Sequence, residues 1–242
     1  MRAYVFVDAE NHYQRSMAAA EAVVGSPQAA RAMARAKLGI PGIPGFPDDI
    51  KGERFGWEPA LMLFWDCQVL SLGGIAAPLG ARVARAIYVC ACAGDDPCVH
   101  NMRVRLRAYG FEPVVVKERK DLQRQRQTKL RDQRIIEKPK GCDIAIATRM
   151  VADAAADLYD SCCLFTSDAD YLPAVEAIRR MGKVVWVFGY GQDLPGDSAY
   201  RYVPDKFIDL YEVLKEVWHN HHREIKEALQ SIGETGPFKD PV

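Results

Sequence analysis

Short apolar segments alternate with helical segments of ten to fifteen residues along most of this chain, and this alternation limits its architecture more than any other feature. A strand, a helix and a second strand in succession are joined by a crossover, so the strands lie parallel in the sheet. Crossovers put helices on both faces, and strands covered on both faces are apolar almost throughout. Residues 3–7, 86–90, 112–116, 162–166 and 183–188 fit that description. Helical patterns cover about 12–24, 27–38, 58–72, 95–109, 141–158 and 171–181, and a polar C-terminal helix ends near 231. Asp95-Asp96-Pro97 marks a helix start, with an acid at the cap and proline in the first turn. The repeated Ile40-Pro41-Gly42-Ile43-Pro44-Gly45 reads as a loop spanning 39–57. The expectation is an α/β, three-layer fold with a mostly parallel central sheet and helices on both faces.

The 242 residues, 49% of them hydrophobic, suffice for one sizeable core. Thirty-two basic residues balance 32 acidic ones, so no global positive field advertises nucleic acid, and any such site must come from local clustering. Residues 117–140 supply one such cluster, with ten Lys/Arg against four Asp/Glu. A strip of this kind can contact phosphates and release counterions, although charge runs are also common on solvated helices and loops. The seven cysteines are odd in number and form no CxxC pair, so they read as reduced small hydrophobes rather than disulfides. A zinc site from Cys90, Cys92 and Cys98 is the weaker reading. The chain opens directly into an apolar strand without the pattern of a signal peptide, and no apolar run reaches membrane-span length. These features set the expectation of a cytoplasmic protein without membrane association.

Ligands in open α/β sheets sit beyond the carboxyl ends of the strands. Asp8-Ala9-Glu10-Asn11 follows the first strand, and Ser167-Asp168-Ala169-Asp170 follows the strand at 162–166. Asp143 opens a helix in Lys140-Gly141-Cys142-Asp143. Taken alone, Asp8 also reads as a loop acid, and Asp143 and Asp168 as helix caps. Taken together, crowded carboxylates repel, and a bound cation relieves that cost. Oxygen donors of this kind suit Mg²⁺ or Mn²⁺.

These segments resemble a known family. Val5-Phe6-Val7-Asp8-Ala9-Glu10-Asn11 is similar to the opening of NYN domains, the LabA-like branch of the PIN-type nuclease superfamily. Lys140-Gly141-Cys142-Asp143-Ile144-Ala145 resembles that family's KGVD motif, and Tyr159-Asp160 with 164–173 resembles its "YD…LVSGDGDFVP" signature. Met181 to Val185, and Ser198 through Asp205-Lys206-Phe207, fit its tail. The resemblance implies a PIN-like domain over residues 1–211, with insertions at about 25–82 and 118–137, and a C-terminal helix and tail over 212–242. It further implies divalent-metal-dependent hydrolysis of RNA phosphodiesters. Asp8, Asp143, Asp168 and Asp170 would serve as catalytic acids and metal ligands, with Mg²⁺ or Mn²⁺ activating water and steadying the leaving oxygen. Asn11, Ser167, Lys140 and Arg149 would be substrate-binding residues, and Glu10 is a weaker candidate. RNA would be the partner, and the 25–82 insertion could serve a homodimer or a protein partner.

Two departures stand out. Many relatives carry a further aspartate where this chain has Arg149, and the glycines of SGDGD are Ser167 and Ala169 here. Arg149 could neutralise the pocket, pair with Asp153 or bind phosphate itself. It favours an alternative, a catalytically weak or inactive PIN-like RNA-binding or assembly module. The retained acids favour the enzyme. A haloacid-dehalogenase-type phosphatase fits less well, because Leu172 stands where that motif wants Thr or Val and the acid pair comes late in the chain. A Toprim-like domain would leave Asp8 and Asn11 unexplained.

Overall fold

The structure, a computed structural model, describes residues 1–25, 82–92, 96–108, 110–117 and 141–231. Its described strands are β1 (Arg2–Asp8), β2 (Arg82–Cys92), β3 (Glu112–Lys117), β4 (Ser161–Phe165), β5 (Val184–Gly189) and β6 (Lys206–Asp209). Its described α-helices are α1 (Ala9–Val24), α2 (Asp96–Ala108), α3 (Cys142–Ala155), α4 (Leu172–Arg180) and α5 (Leu210–Ser231). The strands form one sheet in the order β3-β2-β1-β4-β5-β6, and every pairing is parallel. The fold is α/β, with the sheet wholly parallel among the described strands. The helices expected over 27–38 and 58–72, the 39–57 loop, and the interiors of both insertions lie outside the described residues.

Burial explains why these segments make a parallel sheet. All five residues of β4 are buried, and β1 is buried continuously from Ala3 to Asp8. Such strands need cover on both faces. Helices α3 and α4 pack against each other over one face, where Ile146, Met150, Val175 and Ile178 meet Phe6, Leu164 and Val187. Helices α1 and α5 pack together. His12 of α1 meets the edge of Phe165, which stacks on Phe188 with ring centroids 4.5 Å apart. Among the described residues, no helix is long and apolar enough to cross a membrane.

The chain moves from β1 outward to β2 and β3, then returns to β4 on the other side of β1. The strand order therefore reverses between β1 and β4, and the helices attached to these two strands part there. That opens a crevice beyond the carboxyl ends of β1 and β4. The first helix starts earlier than its pattern suggests. Asp8 ends the strand and caps α1 directly, so Ala9-Glu10-Asn11 is helical rather than a loop.

At the opposite edge the same two strands are pinned where they begin, by Arg2 of β1 and by Asp160 just ahead of β4. The Arg2 backbone N–H donates to Asp160 Oδ2 at 2.5 Å, the Arg2 guanidinium donates to Oδ1 at 3.2 Å, and the Asp160 N–H donates to the Arg2 carbonyl. The Arg2 backbone N–H, and after it the guanidinium, hold the Asp160 carboxyl below the usual carboxylate range.

Two outcomes follow from this packing. Leu164→Ala, at a fully buried position in the central strand, should destabilise the protein by about 3 kcal/mol in a denaturant titration. Asp160→Asn should lower the melting temperature at neutral pH. A carboxylate whose folded pKa is depressed stabilises above its unfolded pKa, and that contribution fades as pH falls through the folded value. The gap between variant and wild type in melts run across pH should therefore close below pH of about 4.

Candidate metal centre

Three separate chain segments deliver a carboxylate to the crevice. Asp8 is the last residue of β1 and the N-cap of α1. Asp143 lies in the first turn of α3. Asp168 follows β4 and caps a 3-10 turn, Ala169–Tyr171, that leads into α4. Each of Asp8, Asp143 and Asp168 offers a carboxylate oxygen lying within 4.8 Å of the others. Asp168 is a cap as expected, accepting from the Asp170 N–H at 3.1 Å, and Asp8 caps α1, accepting from the Asn11 N–H at 3.4 Å, whereas Asp143 lies inside α3 behind its cap Gly141. Three helical N-termini thus face one point, and their positive ends favour negative charge there.

Local sequence explains how the acids reach this point. Gly141 precedes α3 with φ +115°, a left-handed conformation that side chains rarely adopt. That turn brings Asp143 into the first turn of the helix. Gly189 ends β5 beside the acid turn, and a Cβ there would lie 2.7 Å from the Thr166 carbonyl oxygen. A side chain at 189 would therefore displace the segment that carries Asp168.

The acids are held by a hydroxyl network. Asp8 is 1% exposed. Its Oδ2 accepts from Thr166 Oγ1 at 3.2 Å and from Tyr171 Oη at 3.1 Å. Tyr171 Oη also lies 3.0 Å from Asp143 Oδ1. Thr166 Oγ1 in turn accepts the Asp168 N–H at 3.1 Å. Burial, then the charges of Asp8 and Asp143, push the Tyr171 phenol far above its ordinary range, so it remains a protonated donor. Tyr200, whose hydroxyl donates to the Asp168 carbonyl, is raised chiefly by burial and then by Asp168.

The remaining sequence candidates fall in distinct places. Asp170 is exposed and stands outside the three-acid group, touching it through its backbone N–H. Asn11 Oδ1 accepts the Ser167 N–H at 2.8 Å, and Ser167 Oγ accepts the Tyr190 N–H at 2.8 Å. These two residues therefore fasten α1, the acid turn and the end of β5 together. Arg149 is not brought to the acids. Its Nε donates to Asp153 Oδ2 at 2.6 Å and its Nη2 lies 3.1 Å from Glu112 Oε1, at the amino end of β3. Six residues separate it from Asp143, about 9 Å along the helix axis. Lys140 and the 118–137 strip lie outside the described residues. Cys90 and Cys92 are buried, and the side chain of Cys98 lies outside the described residues.

Sequence reasoning missed the hydroxyls. Tyr171 reads from the sequence as packing beneath the acid turn, and it does, but the bonds its hydroxyl and that of Thr166 make to the acids had no signal. Tyr200 gave no signal, standing 32 residues from the carbonyl it holds.

The donor set fits a hard divalent cation. All three groups are carboxylates, they share one small volume, and they come from rigid element ends. Among curated proteins no match is found. A crystal structure of a protein of unknown function, VPA0982 from Vibrio parahaemolyticus RIMD 2210633, is similar at 16% identity and a TM-score of 0.43, covering 86% of this chain and 92% of that one. The family model for the NYN domain matches residues 60–214. The matched segment holds Asp143 and Asp168, while Asp8 joins them from β1 ahead of it. The chain belongs to the NYN domain family, within the PIN-like nuclease superfamily.

Proposed function

We propose that this protein is a divalent-metal-dependent ribonuclease that hydrolyses RNA phosphodiesters with Asp8, Asp143 and Asp168 as its metal ligands. The observation that carries this reading is the convergence of three carboxylates from three element ends at the switch point of the sheet. A pure phosphate binder would have no use for such a cluster, since negative charge repels its ligand. When bound, Mg²⁺ or Mn²⁺ supplies activation of water and neutralisation of phosphoryl charge. Asp170, exposed at the same turn, would support the site from its rim.

The chain's own residues account for substrate placement. With Asn11 Oδ1 fixed by the Ser167 N–H, the other end of the amide is Nδ2, which can only donate. It is suited to a non-bridging phosphate oxygen. The N-termini of α1 and α3 add positive dipole ends beside the acids. The basic strip at 117–140 enters the chain just before Gly141 and Asp143. That order supports a phosphate track leading toward the acids, with Lys140 at its end.

The alternative of a binding module without turnover drew its support from Arg149 in place of an acid. That support weakens, because Arg149 is engaged with Asp153 and Glu112 rather than with the cluster. In this reading Arg149 fastens α3 to β3 and does not touch RNA.

Labelled single-stranded and structured RNA incubated with Mn²⁺, Mg²⁺ or EDTA tests the proposal. Cleavage should require metal and fall by more than about 100-fold in Asp168→Asn, since losing a ligand should cost more than losing an outer partner of one. Salt-sensitive binding of RNA without cleavage, persisting in Asp168→Asn, would identify the binding module instead. Arg149→Ala should retain cleavage while losing about 1–3 kcal/mol of stability, because the nearly buried Asp153 is left unpaired. A variant as stable as wild type but unable to cleave would return Arg149 to the substrate site.

A further inference from the structure

We infer that the Tyr171 hydroxyl is a positioning group that sets the cluster's affinity for its cation, by tying Asp8 and Asp143 to the turn that carries Asp168. The inference rests on the metal-dependent reading above and assigns a role to a residue that reading does not use. One phenolic oxygen lies 3.1 Å from Asp8 Oδ2 and 3.0 Å from Asp143 Oδ1. Tyr171 is 1% exposed, and its ring sits in the apolar cluster with Leu164, Val175 and Ile178. The oxygen is therefore fixed by packing and does not wander into solvent.

The connectivity makes this hydroxyl different from an ordinary buried phenol. Asp8 belongs to β1, Asp143 to α3, and Tyr171 to the turn capped by Asp168. The hydroxyl connects α3 and β1 to that turn at the acids themselves. Two carboxylates repel, and left alone they would swing apart. The single O–H between them donates to one carboxylate at a time, which offsets part of that repulsion and narrows the arrangements each can take. Groups that orient metal ligands from behind typically alter affinity by about 10–100-fold.

The same position also provides a clean probe. Tyr171→Phe deletes one oxygen and keeps the packing.

Calorimetric titration of Mn²⁺ into wild-type protein and Tyr171→Phe, at a temperature below both melting points measured in EDTA, tests the role. The expected result is a Kd raised by about tenfold or more in the variant, alongside the lower EDTA melting temperature that follows when the buried Asp8 loses a donor. A hydroxyl of purely structural importance would lower the melting temperature in the same way and leave the Kd within about twofold. That result, or tighter binding in the variant, would overturn the positioning role while leaving the metal-dependent reading intact. Absence of Mn²⁺ binding by the wild-type protein would overturn both.

Discussion

Like charges held within 4.8 Å of one another repel, and the ends of β1, α3 and β4 hold three of them there. Much of the local architecture answers that cost. Asp8 is buried and takes hydroxyl donors from Thr166 and Tyr171. Asp8 and Asp168 accept backbone N–H groups at the starts of helical segments. The helix dipoles point their positive ends at the same place. A chain selected for stability alone would gain by replacing such a group of acids with apolar residues. In the proposed reading a cation completes the balance, and that is its physical core.

The parallel sheet supplies the rigidity that such a cluster needs. Strands β1 and β4 are adjacent, buried on both faces, and clamped at their amino ends by Arg2 and Asp160. Their carboxyl ends are consequently fixed relative to each other, and two of the three acids ride on them. The third arrives on α3, whose N-terminus is set by the left-handed Gly141. Asn11, Ser167 and Tyr190 then lock α1, the acid turn and β5 into one unit. Asp8 and Asp143 thus sit at element ends, and Asp168 stands in the short link between β4 and the 3-10 turn it caps.

Much of this was legible in the sequence because it depends on pattern. The apolar runs at 3–7 and 162–166 mark central strands, and the acids directly after them lie at the ligand-binding edge of any parallel sheet. Asp143 was visible as a helix-start acid in a motif similar to the family's own. What remained hidden depends on side-chain direction. Asp168 and Asp170 are two residues apart in one turn, and sequence gives no means of deciding that the first faces the cluster and the second faces solvent. Of the three readings of Arg149, the pair with Asp153 one helical turn on is the one observed, and only its second partner, Glu112 from a neighbouring strand, had no local signal. Tyr200 reaches Asp168 only through the β5–β6 connection, a distant contact that no local pattern encodes.

The most direct measurement is anomalous diffraction from crystals of the wild-type protein grown with Mn²⁺. The expected result is a peak bonded to carboxylate oxygens of Asp8, Asp143 and Asp168 together. A peak held by Asp170 without Asp8, or no peak in the crevice at a Mn²⁺ concentration that saturates other sites, would contradict the assignment of these three acids as a metal centre.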